Sequence, residues 1–207
     1  MYKHIIWDFD GTLFDSYPYM VSSFQKALQD DGIEESYQNV LASMKISVTN
    51  AINHYKKVYK INDEMIRRFC RYEEEINYEL VKPYEHVQNI CRMIYYSGRK
   101  NYLFTHRDKS ALAYLEHYGL LECFCDFVTK ENKFKKKPEP DAIIYIIEKY
   151  NLKKEEVLMI GDRDIDIIAA RNAGVDSCIF DPTIIQNVGN ADYSIDSIEQ
   201  VAKIICS

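Results

Sequence analysis

Acidic side chains stand at the end of the first apolar run of this sequence, HIIWDFDGT, residues 4–12. Asp8 and Asp10 lie on either side of a phenylalanine, and Gly11 can turn the chain directly after them. Two carboxylates this close repel each other, so placing them together requires something that offsets the repulsion. The run therefore predicts a cation site where a buried strand ends.

The elements that would position this site alternate between strands and helices. Apolar runs predict five buried strands and a weaker sixth, at residues 4–10, 101–105, 124–129, 157–162, 177–181 and 191–196. Helical patterns lie between them, which implies an α/β fold with a Rossmann-like, doubly wound parallel sheet covered on both faces. Such sheets bind ligands outside the carboxyl ends of their strands. The first strand is expected to end at Asp8, the second at Thr105 and the fourth at Asp162, so we expect these residues at the same edge.

Residues 15–82 interrupt this alternation, because they contain no clear strand and their apolar patterns predict helices at 17–30, roughly 36–58 and 62–80. A single crossover helix would need far fewer residues. We therefore predict two domains, an α/β catalytic core from residues 1–14 and 83–207 and an inserted helical cap from residues 15–82. The two connections of the cap would lie beside Asp10, so that it could act as a lid.

The bulk composition excludes several classes of protein. The 207 residues carry a net charge of −6, which argues against broad binding to nucleic acid or to anionic membranes. No apolar run approaches the ~20 residues that span a bilayer, and no signal-peptide pattern opens the chain. The six cysteines form no CxxC pair or zinc-ligand spacing, so we interpret most of them as buried, reduced side chains. A cytoplasmic protein is the resulting expectation.

Four short motifs occur in order along the chain: DFDGT (8–12), FTHRD (104–108), KKKPEP (135–140) and GDRDID (161–166). Together they resemble those of the haloacid dehalogenase superfamily of phosphohydrolases, and the helical insertion resembles its small-cap branch, which includes phosphoglycolate-phosphatase-like and β-phosphoglucomutase-like enzymes. The resemblance implies an Mg²⁺-dependent phosphatase that acts on a small phosphomonoester through an aspartyl-phosphate. Phosphoryl transfer depends mostly on positioning and charge neutralisation, which carboxylates, a lysine and Mg²⁺ can supply.

The resemblance also implies a role for individual residues. Asp8 would be the nucleophile and a metal ligand, and the Asp10 backbone carbonyl and Asp162 would be further ligands. The Asp10 side chain would act as general acid and then as general base. An aspartate at this position favours phosphate esters, because a leaving alkoxide needs a proton. Further implied roles are phosphoryl binding by Thr105, neutralisation of Asp8 and phosphate by Lys137, and orientation of Lys137 and support of the metal ligands by Asp166.

Simpler interpretations of single residues stay open. Lys136 is the nearest competitor of Lys137 in the lysine run, and Asp164 is interpreted as solvated. His106, where relatives often have asparagine, could contact the substrate phosphate or the cap, or it could lie on the surface at the start of the next helix. Lys45, within the loop that follows the first long cap helix, could contact a substrate anion or be solvated.

Other functions also compete with the phosphatase. A phosphomutase of the β-phosphoglucomutase type would need specific basic and small cap residues, of which Lys45 alone is weak support. A phosphoaspartate signalling module would be shorter and would lack the insertion. A catalytically silent relative is disfavoured by the complete motif set, and a dinucleotide-binding fold by the absence of any GxG pair. The physiological substrate and the oligomeric state stay open.

Overall fold

The computed structural model describes residues 1–183 and 190–206 of the chain. It divides the chain into two compact units, one formed by Met1–Phe14 with Pro83–Ser207 and the other by Asp15–Lys82. We refer to them as the core unit and the helical unit. Within the described residues, no helix is long and apolar enough to cross a membrane.

The core unit contains a six-stranded sheet whose paired strands all run parallel. Its strands are β1 (His4–Trp7), β2 (Lys100–Phe104), β3 (Phe124–Val128), β4 (Val157–Gly161), β5 (Asp176–Phe180) and β6 (Tyr193–Ile195). The strand order is β3-β2-β1-β4-β5-β6, so β1 is central and the order reverses on either side of it. The predicted α/β, Rossmann-like fold is therefore confirmed.

The described helices run from α1 to α9: α1 (Tyr17–Gln29), α2 (Tyr37–Ile46), α3 (Val48–Tyr59), α4 (Asp63–Glu74), α5 (Val87–Tyr96), α6 (Ser110–His117), α7 (Asp141–Tyr150), α8 (Asp164–Ala173) and α9 (Val201–Cys206). Helices α5 to α9 belong to the core unit. One face of the sheet packs buried strand side chains such as Ile6 and Met159 against Ile143 of α7 and Ala170 of α8. This close packing of strands against helices fixes the positions of the strand ends, because side chains in a close-packed interior have little freedom to move.

The helical unit has its own apolar core, in which Phe24 contacts Tyr55 and Phe69 edge-on at ring-centroid distances of 5.2 and 5.1 Å. The helix expected over residues 36–58 is in fact two helices. Ser47 between them is extended, with φ −174° and ψ 156°, and its hydroxyl accepts a hydrogen bond from the Asn50 amide. Serine competes in this way with the helical backbone, and it favours a new N-terminus over continuation of the first helix.

The last helix of the helical unit ends earlier than the sequence pattern predicted. It stops at Glu74, whereas the apolar pattern predicted helix as far as residue 80. The following stretch forms turns, in which the Asn77 side chain accepts a hydrogen bond from the Glu79 amide at 3.0 Å. Asparagine commonly stabilises such a turn through its own side chain.

Candidate active site

Asp8 follows β1 directly, and its amide donates to the Ile160 carbonyl of β4 at 2.9 Å. This bond extends the ladder by one residue and fixes the Asp8 backbone at the carboxyl edge of the sheet. The Asp8 side chain is only 1% exposed, so its carboxylate needs a partner. Lys137 is that partner, with its Nζ atom 2.7 Å from Asp8 Oδ1.

Lys137 lies between two buried carboxylates. Its Nζ atom is 2.6 Å from Asp166 Oδ1 as well as 2.7 Å from Asp8 Oδ1, and its side chain is 0% exposed. The ammonium also lies 4.4 Å from the centroid of the Phe104 ring, which adds a cation–π contact. The neighbouring Lys135 and Lys136 are exposed. Of the three lysines, the structure thus brings Lys137 to Asp8.

Three carboxylates gather around this lysine. Oxygen atoms of Asp8, Asp162 and Asp166 all lie within 4.8 Å of one another. Asp166 lies fully buried in the first turn of α8, and its Oδ2 accepts a hydrogen bond from the Arg163 amide at 3.2 Å. Gly161 makes room for it, because a Cβ atom at that position would lie 2.4 Å from Asp166 Cβ. Asp164 is exposed, as the sequence suggested.

Arg163 is part of the same cluster, although no role was expected for it from the sequence. Its Nη2 atom lies 3.3 Å from Asp8 Oδ2, and its Nε atom lies 3.6 Å from Asp162 Oδ1. The only signal in the sequence was its position directly after Asp162. Lys137 and Arg163 together offset two of the three negative charges in this largely buried cluster, so one negative charge is left to attract a cation.

Asp10 lies beyond Asp8 in a tight turn, in which the amides of Leu13 and Phe14 both donate to the Phe9 carbonyl. Its carboxylate binds Arg107, whose Nη2 and Nε atoms lie 2.7 and 3.0 Å from Oδ1. This arginine belongs to the FTHRD motif, but no role was expected for it from the sequence. Its only signal was its position two residues after Thr105.

Thr105 and His106 follow β2 at the same edge. The Thr105 side chain is buried, and its Oγ1 accepts a hydrogen bond from the Arg107 amide at 3.0 Å. His106 Nε2 accepts a hydrogen bond from the Lys137 amide at 2.9 Å. Burial and the charge of Lys137 lower the pKa of His106 to about 3, so the ring is neutral and carries its proton on Nδ1. Its ring therefore contacts the loop of Lys137, which differs from the phosphate, cap and surface positions considered for His106 from the sequence.

Lys45 belongs to the helical unit, in the last turn of α2 and not in a loop as the sequence interpretation placed it, because α2 continues to Ile46. Its Nζ atom lies 5.9 Å from the centroid of the Tyr17 ring within that unit. The other candidate residues, Asp8, Asp10, Thr105, His106, Lys137, Asp162 and Asp166, all belong to the core unit.

The donor set of the cluster fits a hard divalent cation. Asp8, Asp162 and Asp166 offer only oxygen atoms, and Mg²⁺ is usually bound through one or two carboxylates together with water and phosphate. Lys137 binds one oxygen of Asp8 and one oxygen of Asp166, so each of these carboxylates keeps a second oxygen that could face a cation. A lysine beside the same carboxylates can neutralise a phosphate, and an aspartate nearby can move protons.

Comparisons with known proteins agree with this geometry. The family model of haloacid dehalogenase-like hydrolases matches residues 5–180. A phosphoglycolate phosphatase of Vibrio parahaemolyticus is 27% identical over 98% of this chain and 96% of its own length. The pyrophosphatase PpaX of Halalkalibacterium halodurans is 26% identical over 84% of this chain and 81% of its own length.

Solved structures share the fold across nearly the whole chain. A haloacid dehalogenase superfamily hydrolase of subfamily IA from Geobacter sulfurreducens has a TM-score of 0.78 at 18% identity, covering 99% of this chain and 100% of its own. Magnesium-bound YfnB of Bacillus subtilis has a TM-score of 0.76 at 18% identity, covering 100% and 99%. The chain therefore belongs to the haloacid dehalogenase-like hydrolase family, and it is a phosphohydrolase.

Proposed function

We propose that this enzyme is an Mg²⁺-dependent phosphatase that hydrolyses a small phosphomonoester through an aspartyl-phosphate on Asp8. The observation that carries the proposal is the position of Lys137, whose Nζ lies 2.7 Å from Asp8 and 2.6 Å from Asp166 in a fully buried site. A lysine in this position neutralises both the carboxylate that would attack and the phosphate that it would attack.

Asp8 and Asp162 are the proposed side-chain ligands of Mg²⁺, with the Asp10 backbone carbonyl as a third ligand. When bound, the ion supplies positive charge that lets a dianionic phosphate approach a carboxylate. Asp166 holds Lys137 in place through its 2.6 Å contact. Accepting the Arg107 amide uses a lone pair of Thr105 Oγ1 and leaves the hydroxyl hydrogen able to donate to a phosphoryl oxygen.

The reaction proceeds in two displacements. In the first, an Asp8 oxygen forms a bond to phosphorus, the bond from phosphorus to the ester oxygen breaks, and Asp10 gives a proton to that leaving oxygen. In the second, Asp10 takes a proton from water, the water oxygen attacks phosphorus, and the bond to Asp8 breaks. Inorganic phosphate leaves, and both aspartates return to their starting state.

We also propose that the helical unit, Asp15–Lys82, serves as a cap that selects the substrate, with Lys45 as an anion contact. The chain enters and leaves this unit side by side, since the Asp15 amide donates to the Lys82 carbonyl at 3.0 Å. Two adjacent connections of this kind allow a unit to close over a site and exclude water. The relatives named above, a phosphoglycolate phosphatase and a pyrophosphatase, support a small phosphorylated metabolite as the substrate class. We expect it to act in the cytoplasm.

Two variants test the roles of the paired aspartates. Asp8→Asn should form no phosphoenzyme. Asp10→Asn should still be phosphorylated by an ester with a good leaving group, but it should release phosphate about 10²–10⁴-fold more slowly, because no base activates the water. Rapid quenching followed by peptide mass mapping identifies the labelled residue, and a panel of phosphomonoesters identifies the substrate.

Metal dependence is measured in the same assay. Phosphate release should stop with excess chelator and return with added Mg²⁺. A phosphoryl group on a residue other than Asp8, or full turnover in excess chelator, would contradict the mechanism. Release of inorganic phosphate, and not of an isomerised sugar phosphate, distinguishes the phosphatase from a mutase.

A further inference from the structure

The ion pair between Arg107 and Asp10 takes no part in the two displacements proposed above. Two nitrogens of the guanidinium bind the carboxylate, with Nη2 2.7 Å from Oδ1 and Nε 3.0 Å from Oδ1 and 3.3 Å from Oδ2. A planar guanidinium that binds a carboxylate through two nitrogens fixes the orientation of that carboxylate, which a single point charge cannot do.

Besides Asp10, two aromatic rings lie beside the guanidinium. Its central carbon lies 5.5 Å from the centroid of the Phe9 ring and 5.8 Å from that of Tyr114. The Arg107 amide is bound to Thr105 Oγ1, so the backbone is fixed as well. The side chains of Arg107 and Asp10 are only 14% and 15% exposed, which protects the pair from screening by solvent. Neutralising the Asp10 carboxylate would need only a nearby positive charge, whereas these contacts also fix the orientation of the Arg107 guanidinium.

We propose that Arg107 is a positioning residue for Asp10, which it holds in the orientation needed to activate the attacking water. This inference rests on the proposed function, because it assigns Asp10 the proton transfers. Arg107 contributes through Asp10 and needs no contact with the substrate. A misplacement of about 1 Å in a reacting group can cost roughly 10²-fold in rate, so the loss of this restraint should be clearly measurable.

The test is a double-mutant cycle between Arg107→Gln and Asp10→Asn, with the single and double variants assayed in Mg²⁺. With p-nitrophenyl phosphate as substrate, Arg107→Gln alone should lower kcat by about 10–100-fold and lower KM with it, because slow breakdown of the phosphoenzyme limits turnover while the first displacement, and therefore kcat/KM, is unchanged. In the Asp10→Asn background the same change should cost less than about 3-fold, since the group that it positions is already gone.

A second readout separates positioning from a general structural defect. With p-nitrophenyl phosphate the first displacement needs no proton, so Arg107→Gln should release its first equivalent of nitrophenolate at the wild-type rate. Breakdown of the phosphoenzyme should then be slow, and a burst should appear. A structural defect would slow both displacements. Arg92→Gln is the matched control, since Arg92 donates to the Gly119 carbonyl at 3.3 Å and should leave both steps unchanged.

If Arg107→Gln does not fold, two other variants carry the test. Arg107→Lys keeps the charge without the two-nitrogen geometry and should show the same burst with a smaller loss of kcat. Arg107→Ala should be rescued by guanidinium ion at concentrations far below those that denature proteins. If Arg107→Gln lowered kcat equally in the wild-type and Asp10→Asn backgrounds, or if it slowed both displacements, the positioning role of Arg107 would be overturned and the proposed phosphatase function would stand. A wild-type enzyme that hydrolyses no phosphomonoester would overturn the proposed function, and this inference with it.

Discussion

Replacing Lys137 by methionine tests whether the buried charge cluster is assembled as the structure shows. The substitution keeps most of the side-chain volume and removes the ammonium that lies 2.7 Å from Asp8 and 2.6 Å from Asp166. Three carboxylates then share a buried site with Arg163 as their remaining cation among the contacts described. The uncompensated negative charge rises from one to two in a largely buried cluster, where solvation of the carboxylates is poor.

The expected magnitude follows from this burial. Removing one partner of a buried ion pair costs about 3–5 kcal/mol, because the other charge stays desolvated without its compensation. For a chain of this size each kcal/mol lowers the unfolding midpoint by roughly 2–4 °C, so the total shift should be about 6–20 °C. Urea unfolding in the presence of chelator measures the free-energy change directly, and added Mg²⁺ should recover part of it by binding the folded state.

Lys149→Met is the matched control. Lys149 makes an ion pair of nearly the same length, 2.8 Å to Asp126 Oδ2, but its side chain is 42% exposed. Solvent screens such a pair, so its removal should hardly change the urea midpoint. A change of less than about 1 kcal/mol in Lys137→Met, or equal changes in the two variants, would refute the description of Lys137 as a buried counter-ion.

Two further predictions concern residues that shape the site. Gly161→Ala should destabilise the fold by about 1–3 kcal/mol and lower phosphatase activity. The new Cβ atom would lie 2.4 Å from Asp166 Cβ and would push the Asp166 side chain away from Lys137. An unchanged urea midpoint would contradict this prediction. His106 should stay neutral from pH 8 to pH 5, because burial and then the charge of Lys137 lower its pKa to about 3. In the unfolded chain the same ring takes up its proton with a pKa of about 6.5. The free energy of unfolding should therefore fall as the pH drops from about 6.5 toward 3, and it should fall less in His106→Asn. NMR titration of the His106 ring signals measures this pKa directly, and a titration midpoint of about 6.5 would show the prediction to be wrong.

The sequence by itself determined the fold class and the edge at which polar residues gather. Short apolar runs separated by helical patterns can bury both faces only in a parallel sheet covered by helices. Since the carboxyl ends of parallel strands meet at one edge, residues such as Asp8, Thr105 and Asp162 had to lie near one another wherever the strand order placed them. The four motifs added the family, which the family model confirms over residues 5–180.

Helix boundaries in the helical unit were less predictable, because local side-chain chemistry competes there with apolar periodicity. The break at Ser47 divides a stretch whose apolar pattern is continuous, and the decisive contact is a serine hydroxyl bound to the Asn50 amide. A sequence pattern does not show whether serine will cap a new helix or point to solvent within a longer one.

Only the tertiary structure decided which charges are paired within the site. The resemblance favoured Lys137 over Lys136, but the structure alone shows that Lys137 is paired with both Asp8 and Asp166 while Lys135 and Lys136 are exposed. Arg107 and Asp10 are 97 positions apart, and Arg163 and Asp8 are 155 apart, so no local pattern could pair them. The physical reason is that the free energy of an ion pair depends on burial and on the distance between the charges, and the packed fold sets both.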